Sequence, residues 1–203
     1  MTADDSNPIA RLLHSLDFID KFENDYIASL FKPVWLKKDE FFIQTGDPVN
    51  KVAFVVKGLL SRYNYDHKDH KIIDQFLVDN QFFSDPKGFY NHVCSFTNIQ
   101  AITPCHLWTI SIDEIDRLKN SNHKYAVIIT EIAMQKLSYE SNLRNLFCIK
   151  DPLQKICRFY DLHPHCWSDI PKRDIACYLN MSHGLFYQVQ KRYLKECPFL
   201  DIN

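Results

Sequence analysis

The sequence predicts an α+β fold: an antiparallel β-barrel or jelly roll with flanking helices, then a long helix, then a small helical domain. Three observations indicate this order. Apolar residues have helical spacing over 8–31, and short β-like runs follow from Val34. Helical periodicity then returns near Asp113 and continues through the last third. We expect three domains, with boundaries at 1–120, 121–150 and 151–203.

Six short runs in the first domain have the composition of strands. They are rich in β-branched and aromatic residues, and Asp, Asn, Gly, Pro or His separates each from the next. Closely spaced short strands with such turn residues are typical of an antiparallel barrel or jelly roll. The runs are Glu40–Gln44, Val52–Val56, Leu59–Tyr65, Lys71–Val78, Phe96–Ala101 and His106–Ile110.

A short helix is expected from Asp113 to Lys119, followed by a long one over 122–148. In the long helix a seam of apolar residues keeps a spacing of three to four. Such a seam either lines the helix against its twin in a dimer or packs it on its own barrel, and the pattern alone leaves both alternatives open. The seam consists of Ile129, Ile132, Tyr139, Leu143 and Leu146, with Lys136 as an interruption.

The third domain should begin with a helix at Asp151-Pro152, an N-cap followed by proline, and this helix should end near His163-Pro164. The stretch 171–182, PKRDIACYLNMS, then predicts the first helix and the turn of a helix-turn-helix. Its apolar residues Ile175, Ala176 and Leu179 share one helical face, and alanine is small where a second helix must cross.

The turn and the second helix of this motif can also be placed. Asn180 tolerates the positive φ of a tight turn, and Met181 is the apolar residue that such a turn buries. Ser182 can cap the next helix, expected over about 183–195. Because the sequence ends at Asn203, we expect little chain for a β wing after it. A helix-turn-helix predicts DNA binding and regulation rather than catalysis.

Composition narrows the function. With 46% apolar and 24% charged residues the chain has ample material for a core. A net charge of −1 excludes a protein that coats nucleic acid by bulk electrostatics. The sequence has no apolar run of the ~18 residues that a membrane span needs, and it does not open on a signal peptide. We therefore expect a cytoplasmic protein with no membrane partner.

No enzyme motif or cofactor site is recognisable. The sequence lacks a glycine-rich phosphate loop, GxSxG and HExxH. Its seven cysteines form no CxxC pair, which favours reduced thiols and opposes an iron–sulfur cluster. His163–Cys166 is the only tight cluster of metal-ligand residue types, and Pro164 indicates a loop there instead. We expect neither a metal nor a cofactor.

The order of elements and three local patterns together resemble the Crp–Fnr family of transcription regulators. Leu36–Asp47 (LKKDEFFIQTGD) resembles the opening hairpin of the family's cyclic-nucleotide-binding barrel, and Phe54–Leu59 (FVVKGL) its next strand pair. The third pattern is Ile175–Ser182 (IACYLNMS). The resemblance implies a homodimer paired through the long helix, with two recognition helices in successive major grooves of double-stranded DNA.

The family's phosphate cassette has a Gly-Glu pair and, about ten residues later, an Arg followed by two small residues. The resemblance puts Ser84 and Asp85 at the Gly-Glu pair and Ser95 at the arginine. Without arginine, a cyclic phosphate would be a buried anion with no partner. We therefore expect no binding of cyclic AMP or cyclic GMP. Another small-molecule effector stays open, because aromatic residues near the cassette suit either such a guest or the core: Phe82, Phe83, Phe89, Tyr90 and Phe96.

The recognition helix also departs from the family pattern. Gly184 and Gln188 stand where the family commonly has a glutamate and an arginine that read bases. Gln188 can still pair with adenine, while basic residues suit phosphates. The candidate DNA-contacting residues are Lys172, Arg173, Ser182, His183, Tyr187, Gln188, Lys191 and Arg192.

Two functions therefore remain open. The first is a homodimeric DNA-binding transcription regulator that does not respond to cyclic nucleotide. The alternative is a degenerate member of the family, a ligand-sensing or protein-interaction module without DNA binding. Gly184 and the near-neutral net charge favour this alternative. A redox-sensing role of Cys177 is a lesser hypothesis, since buried thiols are usually inert.

Overall fold

The computed structural model describes residues 7–14 and 21–196, and it begins with two short helices. Helix α1 is Pro8–His14 and α2 is Lys21–Ser29. The Asn7 side chain accepts hydrogen bonds from the amides of Ile9 at 2.9 Å and Ala10 at 3.3 Å, which caps α1. The helical pattern predicted over 8–31 is thus confirmed for both helices, and 15–20 lie outside the described residues.

The strands form two four-stranded sheets, the two-sheet arrangement of a jelly roll rather than a closed barrel. The first sheet has the order β1-β8-β3-β6 and the second β2-β7-β4-β5. In the first sheet, β8 pairs antiparallel with both β1 and β3. The strands are β1 Lys32–Leu36, β2 Phe41–Ile43, β3 Lys51–Lys57, β4 Leu60–Tyr65, β5 Lys71–Leu77, β6 Phe82–Phe83, β7 Asn98–Ala101 and β8 Cys105–Ser111.

An apolar core joins residues of both sheets. It is built from inward-facing apolar side chains with less than a tenth of their surface exposed, and Phe83 is the largest of them. Its members alternate along the strands, as in β7, where Ile99 and Ala101 are buried and their neighbours are not. The other buried members include Ile43, Val55, Leu60, Leu77 and Leu107.

A second apolar cluster packs helices against the strands. Phe54 of β3 and Ile110 of β8 are buried in it together with Ile9 of α1 and Ile27 of α2. It also receives residues of two later helices, α4 Ile112–Ser121 and α5 His123–Cys148. Ser111 and Glu114 form a capping box at the start of α4, so the acidic residues of this first turn have a structural role.

One turn of the jelly roll requires glycine. Gly58 joins β3 to β4 with a φ of 122°. A Cβ there would lie 2.6 Å from Cys105 Sγ and 2.8 Å from the carbonyl oxygen of Pro104. A side chain at this position would therefore obstruct the turn.

All six predicted strand segments contain a strand, but two strands and one helix were not predicted. Strand β1 contains Pro33 and lies at a sheet edge, and β6 has only two residues. The missed helix is α3, Pro86–Asn91, which begins after Asp85. Asp85-Pro86 is the same N-cap signal that was recognised at Asp151-Pro152, so the sequence did contain a local indication of α3.

The helices of the last third follow the predicted order. After α5 come α6 Pro152–Leu162, α7 Lys172–Tyr178 and α8 His183–Glu196. Asp151 caps α6 by accepting a hydrogen bond from the amide of Gln154 at 2.8 Å. None of the helices in the described part of the chain could span a membrane.

The chain divides into two compact units. One consists of Met1–Arg62 and Phe76–Met134, and the other of Tyr63–Gln75 and Gln135–Asn203. The predicted domain boundaries at 120 and 150 stay predictions.

Candidate functional site

Helices α7 and α8 form the predicted helix-turn-helix. Ile175, Ala176 and Leu179 are buried, as expected for one inward face. Asn180 adopts a φ of 55°, and the amide of Met181 donates to the carbonyl oxygen of Ala176 at 2.9 Å, which closes the turn. Met181 is half-buried rather than buried.

Helix α8 packs through one face and leaves the opposite face exposed. Phe186, Gln190 and Tyr193 are buried at intervals of four and three residues. Gln190 Nε2 donates a hydrogen bond to the hydroxyl of Tyr160 on α6 at 2.8 Å, and this pair is itself buried. The start of the helix is capped, because Ser182 Oγ accepts from the amide of Leu185 at 3.3 Å. The helix is therefore held through one face and leaves the opposite face exposed.

All the candidate DNA-contacting residues are exposed on this helix-turn-helix. On α8, Gly184, Gln188 and Lys191 lie opposite the buried positions. Gly184 has open space where a Cβ would stand. The exposed candidates are Lys172 and Arg173 at the start of α7, and Ser182, His183, Tyr187, Gln188, Lys191 and Arg192 at the cap and along α8.

Two features of this surface could not be expected from the motif. Leu185 is 40% exposed on α8, although an apolar residue there suggests burial. Lys172 Nζ lies 6.0 Å from the ring centroid of Tyr187, which is 52% exposed, so this lysine extends along the aromatic ring. The surface therefore combines basic, amide and apolar groups.

The interior of the same unit holds a histidine. His163 is 2% exposed and lies 4.8 Å from the ring centroid of Phe159 and 6.5 Å from that of Tyr178. Burial lowers the pKa of His163 to about 4, because the aromatic surroundings solvate imidazolium poorly. This residue, singled out as a potential metal ligand, is a neutral member of an aromatic cluster at neutral pH.

The two segments that align with the family's phosphate cassette, which we call the cassette segment, meet at a buried carboxylate. Asp85 is 1% exposed and caps α3 through Oδ1, which accepts from two amides at 2.9 and 3.0 Å. Its Oδ2 accepts from the hydroxyl of Ser95 at 2.7 Å, a second hydroxyl at 3.1 Å and a third amide at 3.2 Å. The five donors are the amides of Lys87, Gly88 and Phe96 and the hydroxyls of Ser95 and Thr97.

These donors keep Asp85 ionised. Burial alone raises the pKa of the Asp85 carboxyl group, but the hydrogen bonds from Gly88, Ser95, Thr97 and Phe96 outweigh burial and hold that pKa below its ordinary value. Ser84 is not part of this network, because its hydroxyl donates to the carbonyl oxygen of Lys51 at 2.9 Å. Of the three residues aligned with the cassette, Asp85 and Ser95 therefore bond to each other, and Ser84 does not take part.

The aromatic residues near the cassette divide between core and surface. Phe83 is buried and packs edge-on against Phe42 with ring centroids 4.9 Å apart. Phe82 packs on Phe54 at 4.8 Å, and Phe89 lies against the apolar clusters. Tyr90 and Phe96 are 81% and 61% exposed. For the first three, the structure supports the core alternative rather than a ligand-binding role.

Helix α5 has two different apolar faces. In the predicted seam, Leu143 and Leu146 are buried, and Ile129 and Ile132 pack against the second apolar cluster of their own chain. These four residues of the seam are therefore covered at least in part by their own chain. A different stripe, which we call the exposed stripe, is formed by Val127, Met134 and Leu137, exposed by 46%, 58% and 55%. With Thr130 between them they keep the 3-4-3 spacing of a coiled-coil seam.

Comparison with known proteins agrees with this geometry. Residues 33–122 match the family described as the cyclic nucleotide-binding domain. This match covers the two sheets with α3 and α4. No curated protein sequence matches the chain.

Solved structures extend the likeness to nearly the whole chain. FixK2 from Bradyrhizobium japonicum is 15% identical with a TM-score of 0.70 over 85% of this chain and 88% of that chain. CLP from Xanthomonas campestris, described as a c-di-GMP responsive global regulator, is 16% identical with a TM-score of 0.66 over 91% and 96%.

A third similar structure, from Eubacterium rectale, is assigned as a transcriptional regulator of the crp/fnr family. It is 15% identical with a TM-score of 0.67 over 89% of this chain and 86% of that chain. The chain therefore has the fold of Crp–Fnr regulators, which confirms the resemblance predicted from its sequence.

Proposed function

We propose that the protein is a sequence-specific, DNA-binding transcription regulator and not an enzyme. The observation that carries this proposal is the geometry of α8. Its buried face is fixed through Phe186 and Gln190, while every candidate contact on the helix-turn-helix faces outward. Basic side chains at both ends of this surface, Lys172 and Arg173 on one helix and Lys191 and Arg192 on the other, suit the phosphates that flank a major groove.

The test is selection of random duplex DNA by the purified protein, followed by titration of the enriched site. We expect a two-fold-symmetric site with half-sites about one helical turn apart. The double variant Lys191→Ala/Arg192→Ala should weaken binding by roughly tenfold or more, because phosphate contacts supply much of the affinity. Lys37→Ala/Lys38→Ala removes two exposed lysines outside the helix-turn-helix; it is the matched control and should bind like the parent.

Absence of any enriched site, with only weak binding that disappears at physiological salt, would contradict this proposal. That result would favour the alternative function, a ligand-sensing or protein-interaction module that keeps the fold without DNA binding. Measuring the DNA affinity at increasing salt concentration therefore distinguishes the two candidate functions in one experiment.

We also propose that DNA binding does not depend on cyclic nucleotide. The carboxylate of Asp85 already accepts hydrogen bonds from both halves of the cassette segment. Ser95 stands where an arginine would have to neutralise that phosphate. The segment is thus organised around an internal anion.

Titration calorimetry with cyclic AMP and cyclic GMP tests this second part. We expect no heat of binding from either nucleotide and no change of affinity for the enriched DNA site. Saturable binding of either nucleotide would contradict it. An effector of another chemical class would leave it intact.

The exposed stripe on α5 supports a homodimer. Three large apolar side chains in coiled-coil spacing are unusual on a helix surface that stays in water, and a second copy of the same helix would cover them. A cytoplasmic location completes the proposal, because DNA is the partner.

A further inference from the structure

We infer that α8 reads half-sites rich in A·T pairs, with Leu185 and Gln188 as the residues that determine specificity. This inference rests on the proposed function, DNA binding through the helix-turn-helix. Helices of this type contact base edges with the residues of their N-terminal part. The chemistry of the exposed residues between Ser182 and Gln188 therefore decides which bases are preferred.

The first two turns lack the residues that most commonly recognise guanine. Between Ser182 and Gln190 there is neither arginine nor lysine, the side chains that bond to guanine O6 and N7. Gly184, at the centre of the exposed face, adds no side chain, and open space surrounds the position. Lysine and arginine first occur in the third turn, at Lys191 and Arg192, where they suit the backbone.

Gln188 supplies the matching contact to adenine. It is exposed at the centre of the free face, one turn after Gly184. A glutamine amide has a donor and an acceptor, and it can bond to adenine N7 and N6 together. The absent side chain at Gly184 leaves the first turn free to approach the bases closely.

Leu185 supplies an apolar contact. Leu185 is 40% exposed on α8, so its apolar side chain is accessible to a base edge. In the major groove the only apolar group of a base edge is the C5-methyl group of thymine, and apolar side chains recognise it. An adenine contact and a thymine-methyl contact on one helix together predict an A·T-rich half-site.

The experiment uses the full-length protein and the site enriched from random DNA, with single-atom changes in the bases. Replacing each thymine in turn by deoxyuridine removes only the methyl group, and replacing each adenine in turn by 7-deazaadenine exchanges only the acceptor N7 for a C–H group. We expect one deoxyuridine position in each half-site to weaken binding roughly fourfold, the effect of losing one buried methyl group. The strongest 7-deazaadenine position should weaken binding by roughly fivefold or more.

Matched variants assign each effect to a residue. In Leu185→Ala the deoxyuridine effect should disappear, and in Gln188→Ala the 7-deazaadenine effect should disappear, while each variant keeps the other effect. Gln188→Arg should change the preferred base at its position from adenine to guanine. Both side chains are exposed, so circular dichroism should show an unchanged fold.

The outcomes distinguish the two levels of inference. An enriched symmetric site with G·C pairs at the read positions, or base effects that persist in both alanine variants, would overturn the specificity inference and leave the DNA-binding function standing. Failure to enrich any site would overturn the proposed function, and the specificity inference with it.

Discussion

Two residues at the start of α8 act on its stability in opposite directions. Gly184 lies in the first turn of the helix, and a Cβ added there would meet nothing within 4 Å. Gly184→Ala should therefore raise the free energy of unfolding by about 1 kcal/mol, because alanine favours the helix without a clash. Ser182→Ala, which removes the cap to the amide of Leu185, should lower it by about 1 kcal/mol. Urea unfolding measures both, and equal effects of the same sign would contradict this account.

Among the side chains of the cassette segment, we expect replacement of Asp85 to lower the free energy of unfolding most. In Asp85→Asn an amide donor would face hydroxyl and amide donors that now bond to Oδ2. We expect a loss of about 2–3 kcal/mol of unfolding free energy, the range for buried polar groups left without partners. Asp169→Asn removes an exposed charge and should change stability by less than about 0.5 kcal/mol. If the two variants unfold at the same urea concentration, Asp85 does not hold the segment together.

Because His163 is buried and neutral, we expect the protein to lose stability in mild acid. Its pKa is lowered to about 4 in the folded chain, so the unfolded chain binds the proton more readily below its ordinary pKa of about 6.5. The stabilisation is fully present above about pH 6.5 and is lost as the pH falls toward 4. The loss of unfolding free energy between pH 7 and pH 5 amounts to about 2 kcal/mol. His163→Phe keeps an aromatic ring and should remove this part of the pH dependence. Urea unfolding at both pH values, compared between parent and variant, cancels the contribution of the other histidines.

At the scale of the element, the exposed stripe on α5 allows the proposed dimer to be tested. Met134→Glu should disrupt the proposed dimer, because two carboxylates would face each other in an apolar seam. Gln135→Glu introduces the same charge at the neighbouring exposed position off the stripe and is the matched control. Sedimentation velocity should show a monomer for the first variant and a dimer for the second. A parent protein that is monomeric would show that the exposed stripe is not a dimer seam.

At the scale of the whole molecule, the proposed DNA binding depends on where the charges lie rather than on the net charge. The chain carries −1, yet each helix-turn-helix presents Lys172, Arg173, Lys191 and Arg192. Two subunits would then contact about eight phosphates, which predicts a slope of roughly −7 for the logarithm of affinity against the logarithm of salt concentration. Lys191→Ala/Arg192→Ala should bring the slope to roughly −4. A slope near zero in the parent would show that these side chains do not contact phosphates.

Local chemistry explains which elements could be predicted. Asp151-Pro152 and Ser182 are helix starts whose capping bonds span three residues, and both predictions are confirmed. Strand β6 escaped prediction because two residues give no alternation, and β1 because Pro33 interrupts its pattern. These elements exist because β3 and β8 pair with them.

The sequence by itself determined the order of elements, the helix-turn-helix and the family resemblance, because periodicity, caps and turns depend on residues close in the chain. Only the tertiary structure decided that Asp85 accepts bonds from residues ten to twelve positions away, and that Leu185 stays exposed. It also decided which apolar face of α5 is free, since Leu143 and Leu137 look alike in the sequence. Burial and long-range hydrogen bonds depend on which distant segments meet, and no local pattern contains that information.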